Sequence, residues 1–418
     1  MIQAVGQISV IICAYTEDRF HDLIAAVESV LRQTCPPNEI IVVIDHNSTL
    51  VKRVQDHISG IIVVENTEVR GLSGARNSGI AIAKSPFIAF LDDDAIAVPD
   101  WLQSLSIALA DPQVLGVGGA VIPFWLNKQP SWFPEEFYWV VGCTYLGMPQ
   151  TVGQIRNPIG ANMAFRREVF DGVGGFRSEF GRVGTRPLGC EETEFCIRAR
   201  QHWPQRRFLY KPEARVFHRI PGNRMTWRYF CARCYAEGLS KAFVMRCVGA
   251  VDGLASERTY TLKMLPEAIW RGFVETFITH DLSGMARSAA IITGFIMTAS
   301  GYLVSILLLH TTGLKSMTPS QRHTTHHNTN ENCDRCSDHE VSSYPPRQEM
   351  DSYMDEKQKL NQKIYHYLCG VVEKDAQATR KVKISTTGVS GRSSCPFNSL
   401  STFCDETAKI VVTLVRRF

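Results

Sequence analysis

At 418 residues the chain is long enough for one large domain with appendages, and at most two segments carry a core. A net charge of +4 and a pI near 8.4 exclude a nucleic-acid-binding domain, for which clustered basic residues and a pI above about 9 are expected. The 13 scattered cysteines, several inside apolar runs (Cys13, Cys143, Cys196), exclude a disulfide scaffold and suit a reducing cytosol.

The start, MIQAVGQISV, has no basic stretch ahead of an apolar one, so no secretory signal is expected. Short β-branched apolar runs at 8–15, 39–45, 61–65, 87–91 and 114–121 predict strands buried on both faces. Helical spacing separates them: Leu23, Val27, Val30 and Leu31 share a face, and 74–83 and 101–110 supply further crossovers. Alternation at this spacing predicts an α/β fold, a mostly parallel Rossmann-like sheet with right-handed crossovers.

The fourth run ends on Asp92, Asp93 and Asp94, where ligands of open α/β sheets bind. Three adjacent carboxylates repel, a cost that a divalent cation with oxygen ligands offsets, so Mg²⁺ or Mn²⁺ carrying a diphosphate is expected. The alternative is a polar loop leading to a helix near Pro99. From about Pro123 the alternation gives way to FWLNKQPSWFPEEFYWVVG, either a substrate-facing subdomain or an aromatic core under a loop.

Basic residues thicken between Arg206 and Arg233 (Arg207, Lys211, Arg215, Arg219, Arg224, Arg228), either a face for an anionic membrane surface or a solvated one. Residues 288–309 lack charges over the length of a transmembrane helix; the alternative is an interfacial hairpin broken near Gly301. Arg258, Lys263, Arg271 and Arg287 upstream place the catalytic part on the cytoplasmic side of a cell membrane. The polar tail is expected to be largely disordered. Its Cys333 and Cys336, with His323, His326 and His327, lack the second pair of a zinc site. Four regions follow: 1–245 catalytic, 246–287 juxtamembrane, 288–309 transmembrane and 310–418 tail.

Taken together, ISVIICAYTED, IIVVIDHNS, RGLSGARNSGIAIA, FLDDD, IGANMAFRREVFDGVGGF and GCEETEFCIRAR, in that order over roughly 7–240, resemble family 2 glycosyltransferases of GT-A fold. The resemblance implies a nucleotide-diphospho-sugar donor, with Ala14, Tyr15 and Glu17 lining the base and ribose pocket and Asp45 at the base. Gly74 would let the donor approach a helix start, Arg76 would meet phosphate charge, and Asn162 would shape the sugar pocket. Asp92 maps to the ribose or metal shell, Asp93 to the variable middle position and Asp94 to direct metal contact, with His218 as a further ligand. Glu191-Glu192 stands where the family has Glu-Asp, and Glu192, one methylene longer, maps to the general base. A glycan or polyprenyl-linked acceptor in cell-surface glycan synthesis is expected. Two rivals remain, a sugar nucleotidyltransferase, whose glycine-rich signature AYTEDRF lacks, and a membrane-tethered binder without turnover.

Overall fold

The computed structural model describes residues 7–182, 188–249 and 260–311. The tail expectations from residue 312 onward, including Cys333 and Cys336, lie outside the described residues.

One sheet holds the strands β1 (Ile8–Ala14), β2 (Glu39–Ile44), β3 (Ile62–Glu65), β4 (Phe87–Asp92), β5 (Ala95–Ala97), β6 (Val114–Trp125), β7 (Gly153–Ile155), β8 (Asn162–Arg166) and β9 (Arg207–Ile220). Its order is β3-β2-β1-β4-β8-β6-β9-β5, with β7 also on β9. The first four are parallel, as their unbroken apolar runs require. The helices α1 (Phe20–Leu31), α2 (Ser48–His57), α3 (Leu72–Ile82) and α4 (Trp101–Leu109) follow β1, β2, β3 and β5, and α5 (Arg167–Val173) and α6 (Glu191–His202) precede β9. Asn47 caps α2, its Oδ1 accepting from Leu50 N at 3.0 Å. A phenylalanine core (Phe90, Phe165, Phe170, Phe176, Phe195, Phe208) packs between the sheet and α5 and α6.

Four strands, β5, β7, β8 and β9, were not expected from the sequence. Strand β8 enters antiparallel between β4 and β6. The 14-residue β9 pairs with β6 along its length and with β5 at its end, setting Ala95 opposite His218. The β6–β9 register shifts between Gly119 and Val121, and Asn162 satisfies the backbone there: its Nδ2 donates to Ala120 O (3.0 Å) and Ala214 O (2.7 Å), and its Oδ1 accepts from Trp101 Nε1 (2.8 Å).

The aromatic segment is core. Phe133 and Phe137 are each 1% exposed and meet Phe230 of α7 (Trp227–Val248) at ring distances of 5.4 and 5.3 Å. The basic residues expected to form a face are mostly partnered by acids, three of the pairs joining different elements and one lying within α7. Arg206 meets Glu168, Arg207 meets Asp111, Arg219 meets Asp22 and Arg233 meets Glu237.

Beyond α7 come α8 (Leu265–Thr279) and the long α9 (Ser283–Thr311). By length and composition 283–307 could cross a membrane, yet 44% of its most apolar stretch is buried within the protein. A Cβ on Gly238 of α7 would sit 2.0 Å from Thr298 O, and one on Gly301 of α9 would sit 2.1 Å from Tyr235 O, so the two backbones touch. The basic flank is neutralised in part: Arg271 pairs with Glu136 and Arg287 with Glu275.

Candidate active site

The parallel strands end on one edge, and the residues singled out from the sequence gather there. Asp92 closes β4 and is still partly exposed, while Asp93 and Asp94 turn inward and are 3% and 4% exposed. Burying such charges is costly unless cations meet them. Arg19, in the turn after β1, supplies most of that charge, its Nη1 lying 2.9 Å from Asp93 Oδ1 and 2.7 Å from Asp94 Oδ2. His218 Nε2 lies 3.0 Å from Asp94 Oδ1, delivered by the β5–β9 register, and Arg224 Nη2 lies 3.6 Å from Asp94 Oδ2.

Burial alone would raise the Asp94 carboxyl, but His218, Arg224 and Arg19 hold it well below the usual carboxylate range. Asp93 goes the other way, pushed up to about 8 by burial and by its acidic neighbours against the pull of Arg19. Two polar atoms in this cluster are buried without a hydrogen-bond partner, Asp93 Oδ2 and Arg224 Nη1.

Asp92, Asp94 and His218 each offer a ligand atom, all within 4.8 Å of one another, so the group could hold a metal ion. Carboxylate oxygens with one imidazole suit Mg²⁺ or Mn²⁺, and the unpartnered Asp93 oxygen is a further oxygen donor beside them. The residues present fit a divalent ion.

Arg76 links this cluster to the acidic pair on α6. It is 2% exposed; its Nη1 lies 2.8 Å from Glu191 Oε1, its Nη2 is 3.7 Å from Asp92 Oδ1, and Nη2 also donates to Gly160 O at 3.2 Å. The pair therefore divides. Glu191 is buried on Arg76, whereas burial and the Glu191 charge push Glu192 up to about 8.

The base side of the edge is built around Asp45. Its Oδ2 accepts from Gly71 N (3.0 Å) at the start of α3 and its Oδ1 from Asn66 Nδ2 (2.7 Å), while Ala14 O accepts from Asp45 N (2.8 Å). Tyr15 is 40% exposed under the Arg19 guanidinium, 5.0 Å from its ring centre, and Glu17 is exposed in the turn between them.

Three residues stand differently from the expectation. Arg76 is enclosed with Glu191 rather than open to a phosphate. Asn162 is fully buried, with both ends of its amide bonded to the protein. Gly74 is required by the chain itself, since a Cβ there would lie 1.9 Å from Val69 O. Arg19 and Asn66 were not singled out from the sequence, and Arg224 was read as part of a basic face, either membrane-facing or solvated; the turn after β1, the end of β3 and the turn after β9 bring them in.

A family model described as glycosyl transferase family 2 matches residues 9–174, which take in the Asp92–Asp94 cluster. A glucosyl-dolichyl phosphate glucuronosyltransferase of Haloferax volcanii is 36% identical over 239 residues, 56% of this chain and 76% of that protein. The chain belongs to glycosyltransferase family 2. It is a glycosyltransferase of GT-A fold that uses a nucleotide-sugar donor. An Escherichia coli protein, the UDP-Glc:alpha-D-GlcNAc-diphosphoundecaprenol beta-1,3-glucosyltransferase WfaP, is 39% identical over 92 residues, 21% of this chain and 35% of its own length. A solved structure of GalNAc-T7 with UDP, GalNAc and Mn²⁺ overlays 51% of this chain and 43% of its own, at 19% identity and a TM-score of 0.40, too slight a likeness to speak to the site.

Proposed function

We propose that this glycosyltransferase inverts the anomeric centre in one displacement, taking its sugar from a UDP-sugar and placing it on a hydroxyl of a lipid-linked saccharide. The observation that carries the site assignment is Arg76, whose one guanidinium holds Glu191 and faces Asp92 and also feels the Glu192 charge, so that it ties the start of α6 to the carboxylate cluster. Glu192 accepts the proton of the acceptor hydroxyl; that oxygen bonds to the anomeric carbon, and the carbon–phosphate-oxygen bond breaks with its electron pair leaving on the nucleoside diphosphate. Asp92, Asp94 and His218 would hold the divalent ion, which would supply Lewis-acid stabilisation of the departing diphosphate. Arg19 and Arg224 neutralise the aspartates, and Asp45 with Ala14, Tyr15 and Glu17 forms the floor and rim for the base and ribose. Glu191 and Arg76 position α6 rather than touch the donor, and Asn162 holds the sheet under the sugar.

The lipid-linked acceptor is supported by the names of the two relatives, whose acceptors are a dolichyl phosphate sugar and a diphosphoundecaprenol-linked sugar. A catalytic part on the cytoplasmic side of the membrane is supported by the free thiols of Cys143, Cys190, Cys196 and Cys234 in the core. The catalytic unit includes α7, so the functional boundary falls after residue 245, and α9 packs onto that unit.

Release of nucleoside diphosphate from UDP-, GDP- and dTDP-sugars with Mn²⁺ in detergent tests the donor. One uridine donor should be turned over well above the rest; preference for GDP- or dTDP-sugars would overturn the UDP assignment.

A further inference from the structure

Helices α8 and α9 carry an apolar face that no described residue covers. On α8, Trp270, Phe277 and Ile278 are 71–76% exposed, and on α9 Ile292, Phe295, Leu303 and Leu307 are each at least 42% exposed. The α9 residues fall on one stripe, about 22 Å long at 1.5 Å per residue. The other side of α9 is fixed to α7 by backbone contact at Gly238 and Gly301 and by Tyr302 Oη donating to Met245 Sδ at 2.9 Å. That partner helix is charged: Arg233 and Lys241 pair with Glu237 within it. Were α9 to cross a bilayer with this packing intact, it would draw those charges into hydrocarbon, a penalty that grows with each one.

We propose that α8 and α9 seat the protein in one leaflet of a lipid bilayer, with α9 in the plane of the membrane rather than across it. Three hydroxyls of α9 are already arranged for an apolar medium. Ser288 donates to Gly284 O (3.1 Å), Thr298 to Gly294 O (2.9 Å) and Ser300 to Ile296 O (2.8 Å), so none needs water. No residue from 288 to 309 is charged, which leaves nothing on the stripe to specify a protein partner, whereas a leaflet asks only for apolar surface. Trp270, on the flanking helix, is the residue type favoured at a membrane interface. The surface goes beyond the transfer reaction proposed above and stands whichever donor or acceptor is used.

The test floats the full-length protein with vesicles of phosphatidylcholine and phosphatidylglycerol, and compares it with Trp270→Asp combined with Phe277→Asp. The native protein should float, and the double variant should bind at least tenfold less while releasing nucleoside diphosphate in detergent at the native rate. Should the double variant fold poorly, quenching of native tryptophan emission by brominated phosphatidylcholine, reduced in Trp270→Phe, reads the same contact. Epitope tags at the two ends should be digested together by protease outside sealed cell-membrane vesicles, or protected together. Tags on opposite sides would show a spanning helix and overturn the proposal. So would a native protein that ignores vesicles and is a dimer which the double variant makes monomeric.

Discussion

Replacing Glu192 by Gln should lower the transfer rate by about 10³-fold while raising thermal stability at pH 7, a combination that a merely structural carboxylate would not give. The signs follow from the environment of the group. Burial, with the Glu191 charge behind it, raises Glu192 from its ordinary 4.5 to about 8. The stability this protonated form confers is complete below pH 4.5 and is lost as pH rises to about 8, where the folded protein must ionise a group that the unfolded chain ionises easily. Glutamine keeps the shape without that cost, so near pH 7 the variant should gain on the order of 3 kcal/mol, and below pH 4 the two proteins should be equally stable. Catalysis needs the ionised base. The native rate should therefore climb about tenfold per pH unit toward a limb near 8, and this limb should vanish in the variant. Thermal melts at pH 4 and 7, beside a pH–rate profile, check both halves.

Replacing Asp94 by Asn should act through a different route. Asp94 is touched by His218, Arg19 and Arg224 at once, so loss of its charge removes a metal ligand and leaves buried cations short of a partner. We expect Mn²⁺ affinity, read by electron paramagnetic resonance of the free ion, to fall at least about tenfold and transfer to fall about 10²-fold or more. A melting temperature lowered by about 3 kcal/mol of lost stability should accompany it, the scale for breaking a buried ion pair. His218→Asn should weaken Mn²⁺ binding with less loss of stability, since both arginines then keep their carboxylates. Chelation of the native enzyme with EDTA should stop turnover, and Mn²⁺ should restore it. Unchanged Mn²⁺ binding in Asp94→Asn would remove this group as the metal site.

What the sequence disclosed, it disclosed through short-range pattern. The runs of β1, β2 and β4 are apolar on both faces, and the abrupt stop at Asp92 marks the functional edge without any knowledge of neighbours. Strand β9 was hidden because its outward positions carry Arg207, Lys211, Glu213, Arg215 and Arg219, which read as a basic surface until β6 and β5 are laid beside it. The same long-range pairing brings His218 to Asp94. Arg76 and Asn162 look like pocket residues because their motifs border the pocket; only burial separates a side chain that supports the edge from one that faces the donor. Helix α9 shows the limit of composition. Its apolar content is legible, but the close approach at Gly238 and Gly301 that occupies one face depends on α7 some 60 residues earlier, on the order of the separation that no local window spans.

The most direct test supplies a radiolabelled nucleotide-sugar, Mn²⁺ and a polyprenyl-linked saccharide, and follows label into the organic-solvent phase for the native protein and for Glu192→Gln. Label should enter the lipid phase with the native enzyme and stay aqueous with the variant. Equal transfer by both proteins would contradict Glu192 as the base, and label released only as free sugar or moved only onto water-soluble glycans would contradict the lipid-linked acceptor.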